Sequence, residues 1–471
     1  MVYNTRLFVL VVAIVSCHAG LTDYLFPNLS GTVRGFTDVL ANQPVVQFAT
    51  RTSTNVISLI VGGLTGGPLS TGRSLNSNGL LPTLFGDRNV VDSSDRIRAE
   101  YDAGALNEDT RLDCPSLINK YGYMVERHTA VTEDGYVLTL FRIPGNGSVV
   151  FLMHGLLGSA DDYVIAGPKS GLAYHLAREG YDVWFGNARG NKYSRRHSKI
   201  QSSNPNFWDF SWHEIGVYDL PAMIDYVLQA TGQDSVKYIG HSQGTTSFFV
   251  MASERPDYNR KIALMVALSP VAFMSHVKSP VVRLLSPTNG LLHGLANLIG
   301  LHEFLPDNVL IRGLKQLMCG IGPTSEILCS NLLFLVAGAG YEQLNVTNLP
   351  VIYSHFPSGA SSKQFVHYAQ SYVSGEFRRY DHGASENLRR YGTAKPPDYP
   401  LRDISCPVSL VYSDEDWLSH PIDVDRLYNE LGNVIDIYNV PFHPFNHLDF
   451  ILAKDFNTLI YERLRKLLTY F

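Results

Sequence analysis

Gly240-His241-Ser242-Gln243-Gly244 fits the pattern G-x-S-x-G, in which a sharp turn lifts a serine hydroxyl out of a sheet as a nucleophile. Alone this pattern is a weak signal, but here it follows an apolar run, Val236 to Ile239, and opens an amphipathic one. A serine hydroxyl needs a base, and the base needs a third group to orient it. In this kind of site the chain order is serine, acid, histidine. The acid is expected in Ser413-Asp414-Glu415-Asp416-Trp417, directly after the apolar run Val408 to Tyr412, where three carboxylates compete and spacing does not separate them. The base is expected in Pro441-Phe442-His443-Pro444-Phe445-Asn446-His447, as His443 or His447. Their spacing also invites a zinc reading. Pro444 argues against a shared helix face, however, and no third ligand motif stands nearby, so neither metal nor cofactor is expected.

Acyl transfer also needs two backbone N–H groups aimed at the oxygen that becomes negative. Gln243, the residue after the serine, supplies one. The other is expected from His154-Gly155-Leu156-Leu157-Gly158-Ser159, which follows the apolar run Val149 to Met153, with Leu156 as the donor.

These segments require a frame that brings distant loops to one edge. From Asp113 onward, short apolar strands alternate with amphipathic helices, the pattern of a mostly parallel sheet with helices on both faces. Strands are expected at Tyr136–Phe141, Val149–Met153, Tyr181–Phe185, Val236–Ile239, Ile262–Leu268, Pro407–Tyr412 and Val434–Val440. Helices are expected at Gly171–Glu179, around Leu220 to Leu228 with Pro221 near the start and Gly232 past the end, at Thr245–Glu254, and at Phe450–Leu468. Between about 270 and 404 the alternation stops and long apolar stretches appear, including Val281 to Leu305 and Ile327 to Ala339. Such a break reads as a mainly helical cap inserted into an α/β-hydrolase core spanning 106–471.

The chain has 471 residues, 45% hydrophobic and 17% charged, enough for a large core. A net charge of -5, with no glycine-rich phosphate loop, makes nucleic acid and nucleotides poor partners. Arg6, the apolar run Leu7 to Val15 and Cys17-His18-Ala19 read as a signal peptide over 1–19, too short to span about 30 Å of hydrocarbon. Residues 20–105 are rich in Ser, Thr, Asn and Gly and read as a poorly ordered leader or pro-segment. Without Cys17, four cysteines remain. Cys319 and Cys329 flank a short loop and are the natural pair, while Cys114 and Cys406 either bridge or stay as buried thiols. Sequons at Asn28, Asn146 and Asn345 fit a secretory route to the extracellular space, gut lumen or lysosome.

Beyond these single features, a set of local signatures resembles the acid lipases, the group that includes gastric and lysosomal lipases and their insect relatives. The carriers are Tyr121-Gly122-Tyr123, Thr132-Glu133-Asp134-Gly135-Tyr136, His154 to Ser159, and Tyr181-Asp182-Val183-Trp184 with Gly186-Asn187-Ala188-Arg189-Gly190-Asn191. Tyr193-Ser194-Arg195-Arg196-His197, Phe207 to Gly216, Gly240 to Thr246 and Asn446-His447-Leu448-Asp449-Phe450 complete the set. The resemblance runs from about Cys114 to the C-terminus, and the long leader departs from the commoner pattern. It implies Ser242 as nucleophile, Asp416 as acid because it stands directly before Trp417-Leu418, and His447 as base. It also implies oxyanion donors at Leu156 and Gln243, a cap with a lid, and a Cys319–Cys329 disulfide. The implied substrates are neutral lipid esters, triacylglycerols or sterol esters, met at a lipid–water interface. Rival readings are a phospholipase, another carboxylesterase or a peptidase on the same scaffold, or a silent lipid carrier.

Overall fold

The hydrophobic runs pair as strands because each is apolar on both faces and has nowhere else to bury them. In the computed structural model, which describes residues 107–279, 282–283, 302–304, 336–338, 340 and 342–471, the strands are β1 (Glu126–Val131), β2 (Tyr136–Ile143), β3 (Val149–Met153), β4 (Asp182–Gly186), β5 (Arg196–His197), β6 (Val236–His241) and β7 (Ile262–Leu268), followed by β8 (Glu303–Phe304), β9 (Ala360–Ser361), β10 (Val408–Tyr412) and β11 (Val434–Asn439). Nine of these form one sheet in the order β1-β2-β4-β3-β6-β7-β10-β11, with β5 paired to β2. Pairing is parallel from β4 through β11 and antiparallel at β1, β2 and β5, so the sheet is mostly parallel. Every residue of β3, β4 and β6 is buried, as expected of central parallel strands covered on both sides.

The helices that cover the sheet are α1 (Cys114–Lys120), α2 (Leu172–Arg178), α3 (Leu220–Thr231), α4 (Gln243–Glu254), α5 (Leu349–His355), α6 (Ser362–Ser374), α7 (Pro421–Glu430) and α8 (Glu462–Tyr470). Helix α3 ends as its sequence predicts: Gly232 takes the left-handed conformation at φ 67° and its N–H closes on the Leu228 carbonyl. Alternate residues of β3 feed two cores, Phe151 and Met153 on one face, Val150 and Leu152 on the other. Cys114 belongs to the second core and Cys406 to the first, so the sheet lies between two free, buried thiols.

Two elements depart from expectation. β1 shows no clear strand pattern in sequence, because its residues alternate between partly buried and exposed until Ala130. The closing helix expected over Phe450–Leu468 is interrupted: Asp449–Leu452 is helical, the chain breaks, and a wide turn at Asn457–Tyr461 leads into α8. The cause is tertiary. The Gln343 carbonyl accepts from the Lys454 N–H at 2.9 Å, and its side-chain oxygen accepts from the Asp455 N–H at 3.1 Å, diverting both from helical bonding.

The expected signal peptide over 1–19, the leader over 20–105, the Asn28 sequon, the Cys319–Cys329 pair and most of Val281–Leu305 lie outside the described residues. Within the expected cap, the described parts are α5, α6, a further helix at Ala384–Tyr391 and the small β8-β9 ribbon. Among the described residues no helix is long and apolar enough to cross a membrane.

Candidate active site

Ser242 sits between β6 and α4 with φ 52° and ψ -119°, a backbone conformation costly for a residue with a Cβ. The turn is tight enough to demand both glycines. A Cβ on Gly244 would lie 2.2 Å from the Met153 carbonyl oxygen, and one on Gly240 would lie 2.8 Å from the Gly244 carbonyl carbon. Strand β6 is thereby pressed against β3, and the serine is left at the carboxyl edge of the sheet.

Two other loops meet it there. His447 Nε2 is 2.8 Å from Ser242 Oγ, and its Nδ1 is 3.0 Å from each carboxylate oxygen of Asp416. Asp416 is fully buried, whereas Asp414 is exposed and bonded to Asn439. His443 also points away, with its side chain 73% exposed and 3.9 Å from Glu415. The ambiguity left by spacing is therefore resolved by burial and distance in favour of Asp416 and His447.

Burial alone would push the Asp416 carboxyl up, but the His447 ring, the Ser269 hydroxyl and the Ser419 N–H outweigh it and hold the group below the ordinary range. Oδ1 accepts from the N–H groups of Leu418 and Ser419 at 2.9 and 2.8 Å. Oδ2 accepts from Ser269 Oγ at 2.5 Å, and the same hydroxyl lies 2.6 Å from His447 Nδ1.

Ser269 escaped the sequence reading. It follows β7 directly, at the same sheet edge as Ser242 after β6, and holds φ 52° while its N–H bonds the Val411 carbonyl. A strained serine at the end of the strand between those carrying nucleophile and acid is the available signal. It becomes legible only once strand order is known.

The loop after β3 is held by His154. Its Nε2 accepts from the Ala188 N–H and from Asn191 Nδ2, both at 3.1 Å, so its proton resides on Nδ1 and is donated to the Gly155 carbonyl at 2.8 Å. Burial pushes the His154 ring down to about 4, so it stays neutral. In a trans peptide the C=O and the next N–H point opposite ways, so fixing the Gly155 carbonyl also fixes the Leu156 N–H. A Cβ on Gly155 would stand 3.1 Å from Ser242 Cβ, which places this peptide against the serine. Neither the Leu156 nor the Gln243 backbone N–H has a protein acceptor. Behind the serine, His241 Nε2 lies 2.9 Å from the His447 carbonyl, and burial together with His447 pushes that ring down to about 3.

Family models for the α/β hydrolase fold and for a partial α/β-hydrolase lipase region match residues 148–287 and 114–167. Lipase 3 of Drosophila melanogaster is 45% identical over 362 residues, covering 75% of this chain and 92% of that protein. Gastric triacylglycerol lipase of Bos taurus is 38% identical over 375 residues, covering 77% and 93%. The chain belongs to the acid lipase family of α/β-hydrolases. It is a carboxylic ester hydrolase. The fold of this lipase is shared with a solved protein from Sulfolobus solfataricus, at TM-score 0.51, 12% identity and coverage of 74% and 94%.

The lipase also carries a buried carboxyl beside its base loop. Asp449 is 3% exposed, and burial pushes it up to about 7, although its Oδ2 accepts from the Asn446 N–H at 2.7 Å. The unfolded chain releases this proton near pH 4, the folded one near 7, so the stability it contributes is full below about 4 and lost as pH climbs to 7. Asp449→Asn stays uncharged throughout. Its melting temperature relative to the parent should rise between pH 4.5 and 8, by the equivalent of a few kcal/mol. A difference independent of pH would mean that the carboxyl is ionised over the whole range.

Proposed function

We propose that this lipase cleaves esters of water-insoluble neutral lipids, triacylglycerols or sterol esters, through an acyl-enzyme on Ser242. The observation that carries the reading is the relay from Ser242 Oγ through His447 to buried Asp416, at 2.8 and 3.0 Å, inside a strained elbow. Ser242 Oγ attacks the acyl carbon while its proton passes to His447 Nε2. The carbonyl oxygen becomes negative opposite the Leu156 and Gln243 N–H groups, which are free to donate to it. Collapse of the tetrahedral species expels the alcohol oxygen, which takes the proton from His447. Water then repeats the sequence on the acyl-enzyme, releasing the fatty acid. Asp416 keeps the imidazole proton on Nδ1 and offsets the charge formed on the ring.

The same reading places the protein in the secretory route, outside the cell or in the lysosome, with residues 1–19 removed. Asn146 and Asn345 are both exposed, as carriers of glycan must be. Relatives named as lipases, including a triacylglycerol lipase, support the substrate class.

The test is a panel of tributyrin, cholesteryl oleate, phosphatidylcholine and a peptide, assayed with the purified protein before and after a fluorophosphonate probe. Neutral lipid esters should be the best substrates, activity should vanish as one probe is incorporated, and the labelled peptide should contain Ser242. Preference for phosphatidylcholine or peptide would overturn the substrate assignment; labelling at another residue would overturn the nucleophile.

A further inference from the structure

The chain leaves the sheet after β7 to enter the cap and comes back through Val336–Gly340. Both passages are tied to one residue, Trp417, the immediate neighbour of Asp416. On the outward side, the Trp417 carbonyl accepts from the N–H groups of Lys278 and Ser279 at 2.9 and 3.3 Å. On the return side, the Trp417 N–H donates to the Ala337 carbonyl at 3.3 Å. That carbonyl also accepts from the His447 N–H at 3.2 Å. One buried oxygen of the cap's return segment therefore joins the loop carrying the acid to the loop carrying the base.

The next residue cannot carry a side chain without disturbing this joint. Gly338 holds φ +117°, and a Cβ there would lie 2.5 Å from the Glu415 carbonyl oxygen, a backbone atom one residue before Asp416. It would also meet Asn446 Cβ and Trp417 Cδ1, both at 3.3 Å. Asn446 completes the seam: its Nδ2 donates to the Gly340 carbonyl at 3.4 Å while its Oδ1 accepts from the Leu448 N–H at 2.9 Å. Two loops that are distant in sequence are thus spaced by a third segment that contributes no side chain to the relay.

We infer that the return segment of the cap is a positioning element, in which the Ala337 carbonyl and the side-chain-free Gly338 set the distance between Asp416 and His447. This rests on the assignment of Ser242, His447 and Asp416 proposed above. The relay needs Nδ1 and Nε2 bonded at once, so a shift of either loop by a fraction of an ångström breaks one of the two contacts. A misplacement near 1 Å costs on the order of 10²-fold in rate.

The experiment uses the full-length enzyme, with p-nitrophenyl butyrate as a soluble ester that needs no interface, and Ser242→Ala as the inactive reference. Gly338→Ala should lower kcat by about 10- to 10²-fold with KM changed less than about threefold, and should shift the pH profile of kcat/KM. A parallel fall in the rate of fluorophosphonate labelling is expected. If Gly338→Ala merely lowers the melting temperature, while kcat per folded molecule and the pH profile match the parent, the positioning role is wrong. Should the variant not fold, residue-resolved hydrogen exchange on the parent enzyme decides. The amides of Trp417 and His447, sharing one acceptor, should exchange at the same slow rate, free and phosphonylated. Independent exchange of the two would overturn the inference. Activity surviving in Ser242→Ala would instead sink the underlying site assignment, whatever Gly338→Ala does.

Discussion

Ser242→Ala is expected to remove turnover of both emulsified and soluble esters, with kcat falling by about 10⁶-fold, while the melting temperature changes little. The loss follows from the atom deleted: Oγ is the only group on the elbow that can form the acyl-enzyme, and its partner is His447 Nε2 at 2.8 Å. The stability claim follows from what is kept. Alanine retains the Cβ, so the cost of φ 52° is the same in both proteins, and the glycines that permit the turn are untouched. The side chain is only partly buried, so no hydrogen-bonding group is stranded in the core. Turnover within tenfold of the parent would refute the nucleophile; a collapse of the melting temperature would show that the hydroxyl holds the elbow together.

Asp416→Asn is expected to lower kcat by about 10⁴-fold without loosening the site. The reason lies in how the two carboxylate oxygens are used. Oδ1 faces two N–H donors, from Leu418 and Ser419, which only an acceptor can satisfy. Asparagine must therefore place its oxygen there and its NH₂ where Oδ2 was. That amide then donates toward His447 Nδ1 and Ser269 Oγ, and the Ser269 hydroxyl turns to accept from it. With Nδ1 accepting, the imidazole proton moves to Nε2, which can no longer take the proton of Ser242. The imidazole resonances of His447 should report this change of tautomer alongside the rate. A drop of tenfold or less, or an unchanged tautomer, would mean that the carboxylate does not control the ring.

Much of this was legible from residue order. The G-x-S-x-G turn, the apolar runs of β3, β6 and β7, and the segments holding acid, base and oxyanion loop follow from local pattern, because a strand-turn-helix unit imposes strict steric demands on a few consecutive residues. The α/β-hydrolase architecture follows from the same alternation. Residue order also supplied Pro221 and Gly232 as the ends of α3, since capping is settled within one helical turn.

Other features depend on contacts between segments far apart in the chain. Spacing did not distinguish Asp414, Glu415 and Asp416, or His443 and His447, because what separates them is burial and a distance across the sheet edge. Nor did it expose Ser269, whose role needs β7 to lie between β6 and β10. It could not decide between bridged and free states for Cys114 and Cys406, which the tertiary structure puts on opposite faces of one sheet. The break at Ala453 and the joint at Ala337 have the same origin. Each arises where a hydrogen-bonding group from a remote segment outcompetes a local partner, and no local pattern records a bond whose other half lies a hundred residues away.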